Sequence, residues 1–207
     1  MTIDTLFTSP WSWLIVAYLL GSISSAVIVS RLLGLPDPRT VGSNNPGATN
    51  VFRFGGKVGG LLTFVGDALK GYLPVLVALL FVEEPVLVSA AFLGALLGHL
   101  FPLYFRFVGG KGVATMIGGL WALDPILGLI FIGIWLFVAL LSRYSSLASI
   151  FSAIMMPILA FWVLSPIYAP PLCVFSLLLV AKHHENIRRL LQGRESQINF
   201  NKLKAKN

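Results

Sequence analysis

A polar, glycine-rich stretch lies between two long apolar segments of this chain and reads GSNNPGATN at residues 42–50. Gly42 and Gly47 permit backbone conformations that turn several N–H groups into one hollow. Arg53 adds a fixed positive fork, and five side chains add further donors: Ser43, Asn44, Asn45, Thr49 and Asn50. Such a donor set suits an oxyanion, phosphate above all. The alternative is a solvated turn, because the same residues are common turn formers.

A second anion-binding pattern is GGKG at residues 109–112, which opens directly into an apolar helix at Val113. Free N–H groups and the dipole at such a helix N-terminus attract anions, and the charge of Lys111 adds to them. Gly110 and Gly112 let the backbone approach a phosphate closely. The pattern is not a Walker A loop, because position 105 is Phe and Lys111 is followed by glycine. The alternative is a flexible turn between two helices.

A third candidate lies in the polar run HHENIRRLLQGRE at residues 183–195. On a helix, His183 and Asn186 lie within about 60° of each other, on the face of Ile187 and Leu190. We therefore predict that both side chains face the interior, whereas Arg188 points elsewhere. Two adjacent histidines diverge on a helix, unlike the i,i+4 pair that suits zinc, so no metal site is predicted. The alternative for His183 is a packed, hydrogen-bonded histidine.

Two further polar sets interrupt apolar segments. Asp67 and Lys70 are three residues apart on one helix face, and charges inside a membrane span are usually paired or functional. We predict a structural ion pair. Ser146 and Ser149 share a face in the first turn of another helix, where they either bind a ligand or satisfy the helix start.

These five sets all fall at the cytoplasmic end of the predicted helices. The sequence holds no Ser-His-Asp pattern, HExxH motif or paired carboxylates beside them. The chemistry that we predict is therefore the binding of one or more phosphates beside a wall accessible to lipid.

The elements that carry these residues are membrane helices. The chain has 207 residues, of which 57% are hydrophobic and 11% charged, and its mean hydropathy is +0.86. Soluble domains carry roughly 25% charged residues. The net charge is +7, and nearly all the basic residues lie in alternate loops. The other loops hold Asp4, Glu83, Glu84 and Asp124 without Lys or Arg. This positive-inside pattern favours a membrane protein over a nucleic-acid partner.

We predict an all-α bundle of about seven transmembrane helices, with the amino terminus outside and the carboxyl terminus cytoplasmic. A span needs about 20 residues, and Asp124-Pro125 divides the long run 113–141 into two spans. The predicted spans are 11–33, 58–82, 86–107, 113–123, 125–141, 146–163 and one from about 172, which continues as a polar helix. The alternative, a single helix over 113–141, would place the basic tail outside. One domain over 1–207 is predicted, with cytoplasmic motif regions at 34–57, 106–115, 142–149 and 182–207.

Five stretches resemble, in order and spacing, the acyl-phosphate:glycerol-3-phosphate acyltransferase family (PlsY type): GSNNPGATNVFR, DALKG, GHLFPLYFRFVGGKGVAT, RYSSLASI and HHENIRRLLQGRE. The family's members are bacterial plasma-membrane enzymes that acylate glycerol 3-phosphate to lysophosphatidic acid, with acyl phosphate as donor and no cofactor. The resemblance implies an active site on the cytoplasmic face and a partner enzyme that supplies acyl phosphate. Asn44 departs from the family, which more often has glycine there.

The resemblance also implies roles for individual residues. The family's catalytic set matches Ser43, Arg53, Lys111, His183 and Asn186, and its structural glutamate matches Glu195. Loop 42–50 would hold the donor phosphate, and Ser149 would lie near glycerol phosphate. Arg53, Lys111 and Asn186 would grip glycerol phosphate. The proton acceptor stays open between His183 and the donor phosphate, and the second is preferred.

Two other functions are consistent with phosphate binding in a membrane. An anion permease would need polar residues at mid-membrane, whereas the outer half of each predicted span is nearly pure hydrocarbon. A lipid-phosphate hydrolase would need an acidic or histidine nucleophile motif, and the sequence contains none that we recognise.

Overall fold

The described residues, 8–82 and 84–198 of a computed structural model, form helices and no strands. The predicted all-α class follows from the recurrence of apolar runs that are long enough to satisfy their own backbone in hydrocarbon. In chain order the helices are α1 Pro10–Gly21, α2 Ser25–Leu32, α3 Ala48–Phe81, α4 Pro85–Leu100, α5 Val113–Leu123, α6 Pro125–Ser142, α7 Ser145–Val163, α8 Ala169–Lys182 and α9 His184–Leu191. Short 3₁₀ turns at Leu103–Phe105 and Pro166–Tyr168 complete the set.

Five of these segments are long and apolar enough to cross a membrane: Pro10–Leu32, Ala48–Phe81, Pro85–Phe105, Pro125–Ser142 and Ser145–Val163. A bent pair, Pro166–Lys182 with His184–Leu191, is a sixth candidate, and Val113–Leu123 is a shorter apolar helix. The division of 113–141 at Asp124-Pro125 is confirmed, because α5 ends at Leu123 and α6 begins at Pro125. The number of crossings and the orientation stay predictions. Asp4 and Glu83, two of the charges used for the orientation, lie outside the described residues.

Two boundaries differ from the prediction. Helix α3 begins at Ala48, although residues 48–57 were expected to belong to a loop that ends before a span at 58. Gly47 is its N-cap, and the helix bends at Gly56, whose φ of 72° is open to glycine but costly for other residues. The polar helix was expected to continue straight from the preceding span, but α8 and α9 are bent by 59° at His183.

The chain divides into two compact units, residues 1–128 and 129–207. In the first unit, close helix packing depends on glycine. A Cβ at Gly118 of α5 would meet the carbonyl oxygen of Ala68 on α3, and one at Gly71 of α3 would meet that of Thr115. The two helix backbones touch at these points. Such close contacts at small residues are common in membranes, where helix association depends on close packing rather than on the hydrophobic effect.

The second unit is held by polar bonds as well as by apolar packing. The hydroxyl of Ser176 on α8 donates to the carbonyl of Ala153 on α7 at 2.6 Å. The chain beyond α9 returns to the turn before α7, where the N–H of Ile198 donates to the carbonyl of Arg143 at 2.7 Å. The predicted basic residues Lys202, Lys204 and Lys206 lie outside the described residues.

We expect Gly118→Ala to lower the free energy of unfolding by about 1–3 kcal/mol, because the new methyl group must push α5 away from α3. Gly133→Ala in α6 is the matched control, since open space surrounds the position of its Cβ. Its effect should be neutral or slightly stabilising, by up to about 1 kcal/mol. Denaturation midpoints of the two variants in detergent test the difference, and equal midpoints would contradict it.

Candidate functional site

Asn50 organises the loop that precedes α3. Its side-chain Nδ2 donates to the carbonyls of Pro38 at 2.9 Å and Val41 at 3.0 Å, while Oδ1 accepts from the N–H of Ser43 at 3.0 Å. Asn50 is 1% exposed, so this amide is committed to the loop backbone. A Cβ at Gly42, whose φ is 64°, would also collide with Asn50. The residue was predicted to bind substrate; in the structure its side chain bonds to the backbone of the loop.

Fewer loop N–H groups are available to a ligand than the sequence suggested. The N–H of Ser43 donates to Asn50, that of Asn44 to Val41 and that of Gly47 to Asn45, all within the loop. The expectation that several of them converge on one hollow is therefore wrong for these three. At the start of α3, the N–H of Asn50 donates to the carbonyl of the N-cap Gly47 at 3.0 Å. The N–H groups of Ala48 and Thr49 in the first turn are therefore the natural anion donors.

The predicted side chains around this loop lie at the surface of the structure. Ser43, Thr49 and Arg53 are exposed, and Arg53 stands on the helical segment before the bend at Gly56. Asn44 adopts a φ of 54°, the left-handed conformation that asparagine tolerates better than most residues. Glycine at this position, as the resemblance leads one to expect, would adopt the same conformation without that cost.

The GGKG loop packs directly against the first loop. The N–H of Gly110 donates to the carbonyl of His99 at 3.1 Å. A Cβ at Gly110 would meet the ring of His99 and would also lie 3.0 Å from the Pro46 carbonyl oxygen. Gly112 is the N-cap of α5 with a φ of 86°, and the partly exposed Lys111 lies between these two glycines. Two helix N-termini, those of α3 and α5, thus adjoin loops that touch each other.

The predicted ion pair between Asp67 and Lys70 is confirmed, with Nζ 2.9 Å from Oδ1. Lys70 Nζ also donates to the carbonyl of Ile23 at 2.8 Å, in the break between α1 and α2. The ammonium group has three N–H donors, so it can bind the carboxylate and the carbonyl at the same time.

His99 joins this ion pair and was missed from the sequence. Its Nδ1 lies 3.7 Å from Oδ1 of Asp67, and the residue is 5% exposed. Asp67 and His99 are 32 positions apart, so no helical spacing could have revealed the contact. The available signal was a histidine at the end of an apolar helix, beside a second buried charge.

In the second unit, Glu195 holds three side chains. Its Oε1 accepts from Ser146 Oγ at 2.8 Å and from Asn186 Nδ2 at 2.6 Å, and its Oε2 accepts from Arg189 Nε at 2.7 Å. Burial alone would raise the pKa of Glu195. The three hydrogen bonds outweigh it, so the pKa lies below its usual range. The carboxylate is therefore charged at neutral pH and accepts from all three donors.

This carboxylate fixes the orientation of the Asn186 amide. An ionised carboxylate only accepts, so the NH₂ group of Asn186 must face Glu195 and the carbonyl oxygen must face away. Oδ1 is buried and has no hydrogen-bond partner among the described residues. Asn186 therefore offers an acceptor in the second unit, and the side chain is 5% exposed as predicted.

His183 lies at the bend between α8 and α9 and is also buried, as predicted. Its Nδ1 lies 2.8 Å from the carbonyl of Leu179. Because a carbonyl only accepts, Nδ1 carries a proton, and Nε2 of the neutral ring is an acceptor. The imidazole is thereby held in one tautomer.

The remaining predicted residues of this unit have other surroundings. Ser149 donates to the carbonyl of Ser145 at 2.8 Å and accepts from Trp135 Nε1 at 3.0 Å, so its proton is already used. Arg188 is exposed. Among residues 8–82 and 84–198, no group of three or more His, Cys, Asp or Glu side chains is arranged to hold a metal ion.

Known proteins match the chain over most of its length. A family model described as glycerol-3-phosphate acyltransferase matches residues 11–193. The glycerol-3-phosphate acyltransferase of Aliivibrio salmonicida is 51% identical over 189 residues, 89% of this chain and 95% of that protein. The protein of the same name from Cupriavidus metallidurans is 52% identical over 192 residues, 89% of this chain and 94% of its own.

Two crystal structures of PlsY (YgiH), an integral membrane glycerol 3-phosphate acyltransferase, are similar to this chain. The glycerol 3-phosphate form has a TM-score of 0.88 and 40% identity, and covers 95% of this chain and 99% of the other. The lysophosphatidic acid form has a TM-score of 0.85 and 39% identity, and covers 92% of this chain and 95% of the other.

We expect Glu195→Gln to lower the melting temperature at about pH 7, because a neutral amide bonds less strongly to Arg189 than a carboxylate does. The pKa of Glu195 is lowered on folding, so its contribution is complete above the ordinary glutamate pKa of about 4.3 and is lost below its folded value. The gap between wild type and variant should therefore narrow as the pH falls below about 4.

The matched control for this experiment is Glu185→Gln, which removes the exposed carboxylate 3.7 Å from the same arginine. Exposed pairs contribute less than about 1 kcal/mol, so this variant should melt close to wild type. A gap for Glu195→Gln that is constant from neutral to acidic pH would contradict the assignment.

Proposed function

The chain belongs to the glycerol-3-phosphate acyltransferase family, and we propose that it transfers a fatty acyl group from acyl phosphate to the sn-1 hydroxyl of glycerol 3-phosphate. The products would be lysophosphatidic acid and phosphate. The chain is thus an enzyme of a membrane acyltransferase family, with several apolar helices of spanning length. The donor, the position acylated and the residue roles below are our proposal.

The observation that carries the proposal is the contact between the 42–50 loop and the GGKG loop at Gly110 and Pro46. Each loop leads into a helix whose first N–H groups attract anions. Each also has a cation nearby: Arg53 follows the 42–50 loop on α3, and Lys111 lies within the GGKG loop. An enzyme that joins acyl phosphate to glycerol 3-phosphate must neutralise two phosphates at short range. Two adjacent loops of this kind are suited to that task.

The proposed reaction balances without a covalent acyl-enzyme. The sn-1 hydroxyl oxygen attacks the acyl carbonyl carbon, and the bond between that carbon and the oxygen bridging to phosphorus breaks. Phosphate leaves with the bridging oxygen and takes up the hydroxyl proton. Acyl phosphate is a mixed anhydride, so the leaving group needs little activation. Orienting the two substrates can remove about 7–11 kcal/mol of the barrier, and fixed donors near the carbonyl stabilise the developing negative charge.

In the first unit, we assign the donor phosphate to the α3 N-terminus and the hydroxyl of Ser43. Arg53 and Lys111 then bind the phosphate of glycerol 3-phosphate. Arg53 can bind two phosphate oxygens through its planar fork, while Lys111 acts as a point charge. The N–H groups of Ser43, Asn44 and Gly47 hold the loop in shape rather than the ligand.

In the second unit, we propose that Asn186 and His183 bind a hydroxyl group. The carbonyl oxygen of Asn186 would repel a phosphate oxygen, so a hydroxyl group is the complementary ligand. Nε2 of His183 is likewise an acceptor in the tautomer set by Leu179. Ser146 and Glu195 support Asn186 from behind and need not contact substrate.

We place the reaction on the cytoplasmic face of the bacterial plasma membrane, because the basic loops carry the site residues. The acyl chain would come from the lipid phase or from a neighbouring enzyme that makes acyl phosphate. No metal or cofactor is required by this chemistry.

The test of the function uses protein purified in detergent with acyl phosphate and radiolabelled glycerol 3-phosphate. We expect labelled lysophosphatidic acid, and little or none when acyl-CoA or acyl carrier protein replaces acyl phosphate. Arg53→Ala and Lys111→Ala should each lower kcat/KM for glycerol 3-phosphate well beyond threefold, because each removes a charged phosphate contact.

Arg31→Ala is the matched control for these two variants, since Arg31 is an exposed cation of the same unit. It should stay within twofold of wild type. If either Arg53→Ala or Lys111→Ala leaves kcat/KM within threefold, the phosphate assignment fails. Phosphate release without glycerol 3-phosphate would indicate a hydrolase, and equal activity with acyl-CoA would refute the donor.

His183→Ala tests the proton acceptor. If the departing phosphate takes the hydroxyl proton, the variant should retain more than about a tenth of kcat, because only an orienting contact is lost. A general base contributes about 10²- to 10⁴-fold, so a loss in that range would make His183 the acceptor. His184→Ala, an exposed neighbour, controls for removal of an imidazole next to the bend.

A further inference from the structure

We propose that His99 is a positioning residue for the acyltransferase reaction, held by Asp67 and setting the place of the GGKG loop. The proposal deepens the function proposed above and rests on it. His99 stands in the stretch GHLFPLYFRFVGGKGVAT, which the family resemblance includes, but no role was predicted for it from the sequence. Its role follows from three contacts in the first unit.

The first contact is electrostatic and orients the imidazole ring. Nδ1 of His99 lies 3.7 Å from Oδ1 of Asp67, whose side chain is 2% exposed. Asp67 is itself held in place by Lys70 at 2.9 Å. A carboxylate on one ring nitrogen sets which edge of an imidazole faces the rest of the protein. The Nε2 edge of His99 therefore faces away from Asp67.

The second contact joins that edge to the loop. A Cβ at Gly110 would strike Nε2 of His99, so the ring lies directly against the glycine Cα. The N–H of Gly110 donates to the carbonyl of the same residue at 3.1 Å. Gly110 is held by His99 through both side chain and backbone. Gly110 does not have a positive φ, so a glycine is needed here because there is no space for a side chain, not because of the backbone conformation.

The third contact transmits the position of Gly110 to the other loop. The Pro46 carbonyl oxygen would lie 3.0 Å from the same Cβ position that meets the imidazole. The edge of the ring and the 42–50 loop therefore meet on one face of Gly110. The location of the ring sets how closely the two loops approach, and with them Lys111 and the start of α3.

Asp67 also fixes the far side of the loop. The hydroxyl of Thr115 in the first turn of α5 donates to the Asp67 backbone carbonyl at 3.0 Å. The loop is therefore anchored at Gly110 through His99 and just beyond Gly112 through Thr115. Both anchors end on one residue of α3. A shift of about 1 Å between reacting groups can cost about 100-fold in rate.

The test compares two amides with the imidazole. Asn at this position reproduces Nδ1 and reaches Asp67, while Gln reproduces Nε2 and reaches Gly110. We expect His99→Ala and His99→Asn to lower kcat/KM for glycerol 3-phosphate by about 10- to 100-fold, and His99→Gln to retain several times more. Equal losses for Asn and Gln, or losses below threefold, would overturn the proposal.

A second measurement is a double-mutant cycle with Gly110→Ala. The added methyl group collides with the ring, so its effect should shrink by tenfold or more in the His99→Ala background. Multiplicative effects within twofold would mean that the ring does not act through Gly110. Thr63→Val is the matched control, because Thr63 is buried one turn from Asp67 on α3. It should leave kcat/KM and melting temperature near wild type.

Hydrogen exchange of the backbone separates failure of this proposal from failure of the proposed function. We expect amides 109–112 to exchange faster in His99→Ala than in wild type, and near the wild-type rate in His99→Gln. If wild type makes no lysophosphatidic acid but the exchange pattern holds, the acyltransferase function fails and the loop anchor stands. Unchanged exchange in His99→Ala overturns the anchor whatever the activity.

Discussion

The first unit depends on one constraint, the burial of the Asp67 carboxylate among apolar helices. A charge in that position is tolerated only with partners, because removing it from water costs free energy that only partner groups can offset. Its partners come from different segments. Lys70 brings the break between α1 and α2, and His99 brings the end of α4 and the GGKG loop. The backbone carbonyl of the same residue accepts from Thr115 at the start of α5, so one residue of α3 sets the relative places of the segments around it.

In the second unit, another carboxylate, that of Glu195, is likewise bonded by side chains from different parts of the chain. Glu195 gathers a hydroxyl, an amide and a guanidinium, and the two neutral groups both come from positions that the sequence marked as binding residues. These hydrogen bonds determine which donor and acceptor groups of the bonded side chains remain for a ligand. Asn186 becomes an acceptor because its donor is used, while Ser146 spends its proton on the glutamate. The carboxylate of Glu195 thus determines that the side chain beside it offers an acceptor rather than a donor.

The features that the sequence predicted well are those with local causes. Apolar runs of spanning length produce helices, Asp124-Pro125 divides one of them, and an i,i+3 spacing pairs Asp67 with Lys70. The sequence was also sufficient for recognising the family, because its motifs are long and their order is specific. The inward face of His183 and Asn186 followed from helical periodicity alone.

The features that the sequence did not predict depend on distant contacts. The amide of Asn50 turns back on the loop because backbone carbonyls nine and twelve residues earlier lie beside it. The partnership of His99 with Asp67 joins two helices, and no glycine or proline marks the bend at His183 in the sequence. The start of α3 was missed because glycines at 55 and 56 indicate a loop, whereas the helix continues through a single kink.

The position of Glu195 along the chain has a consequence for synthesis. Proteins leave the ribosome amino terminus first, and Glu195 emerges nine residues after Asn186 and 49 after Ser146. The growing chain can insert its apolar helices into the membrane before this last carboxylate exists. Until it arrives, the Asn186 amide lacks the partner that fixes its orientation. The order of translation therefore defines the acceptor of Asn186 only after the helices that carry Ser146 and Asn186 have been made.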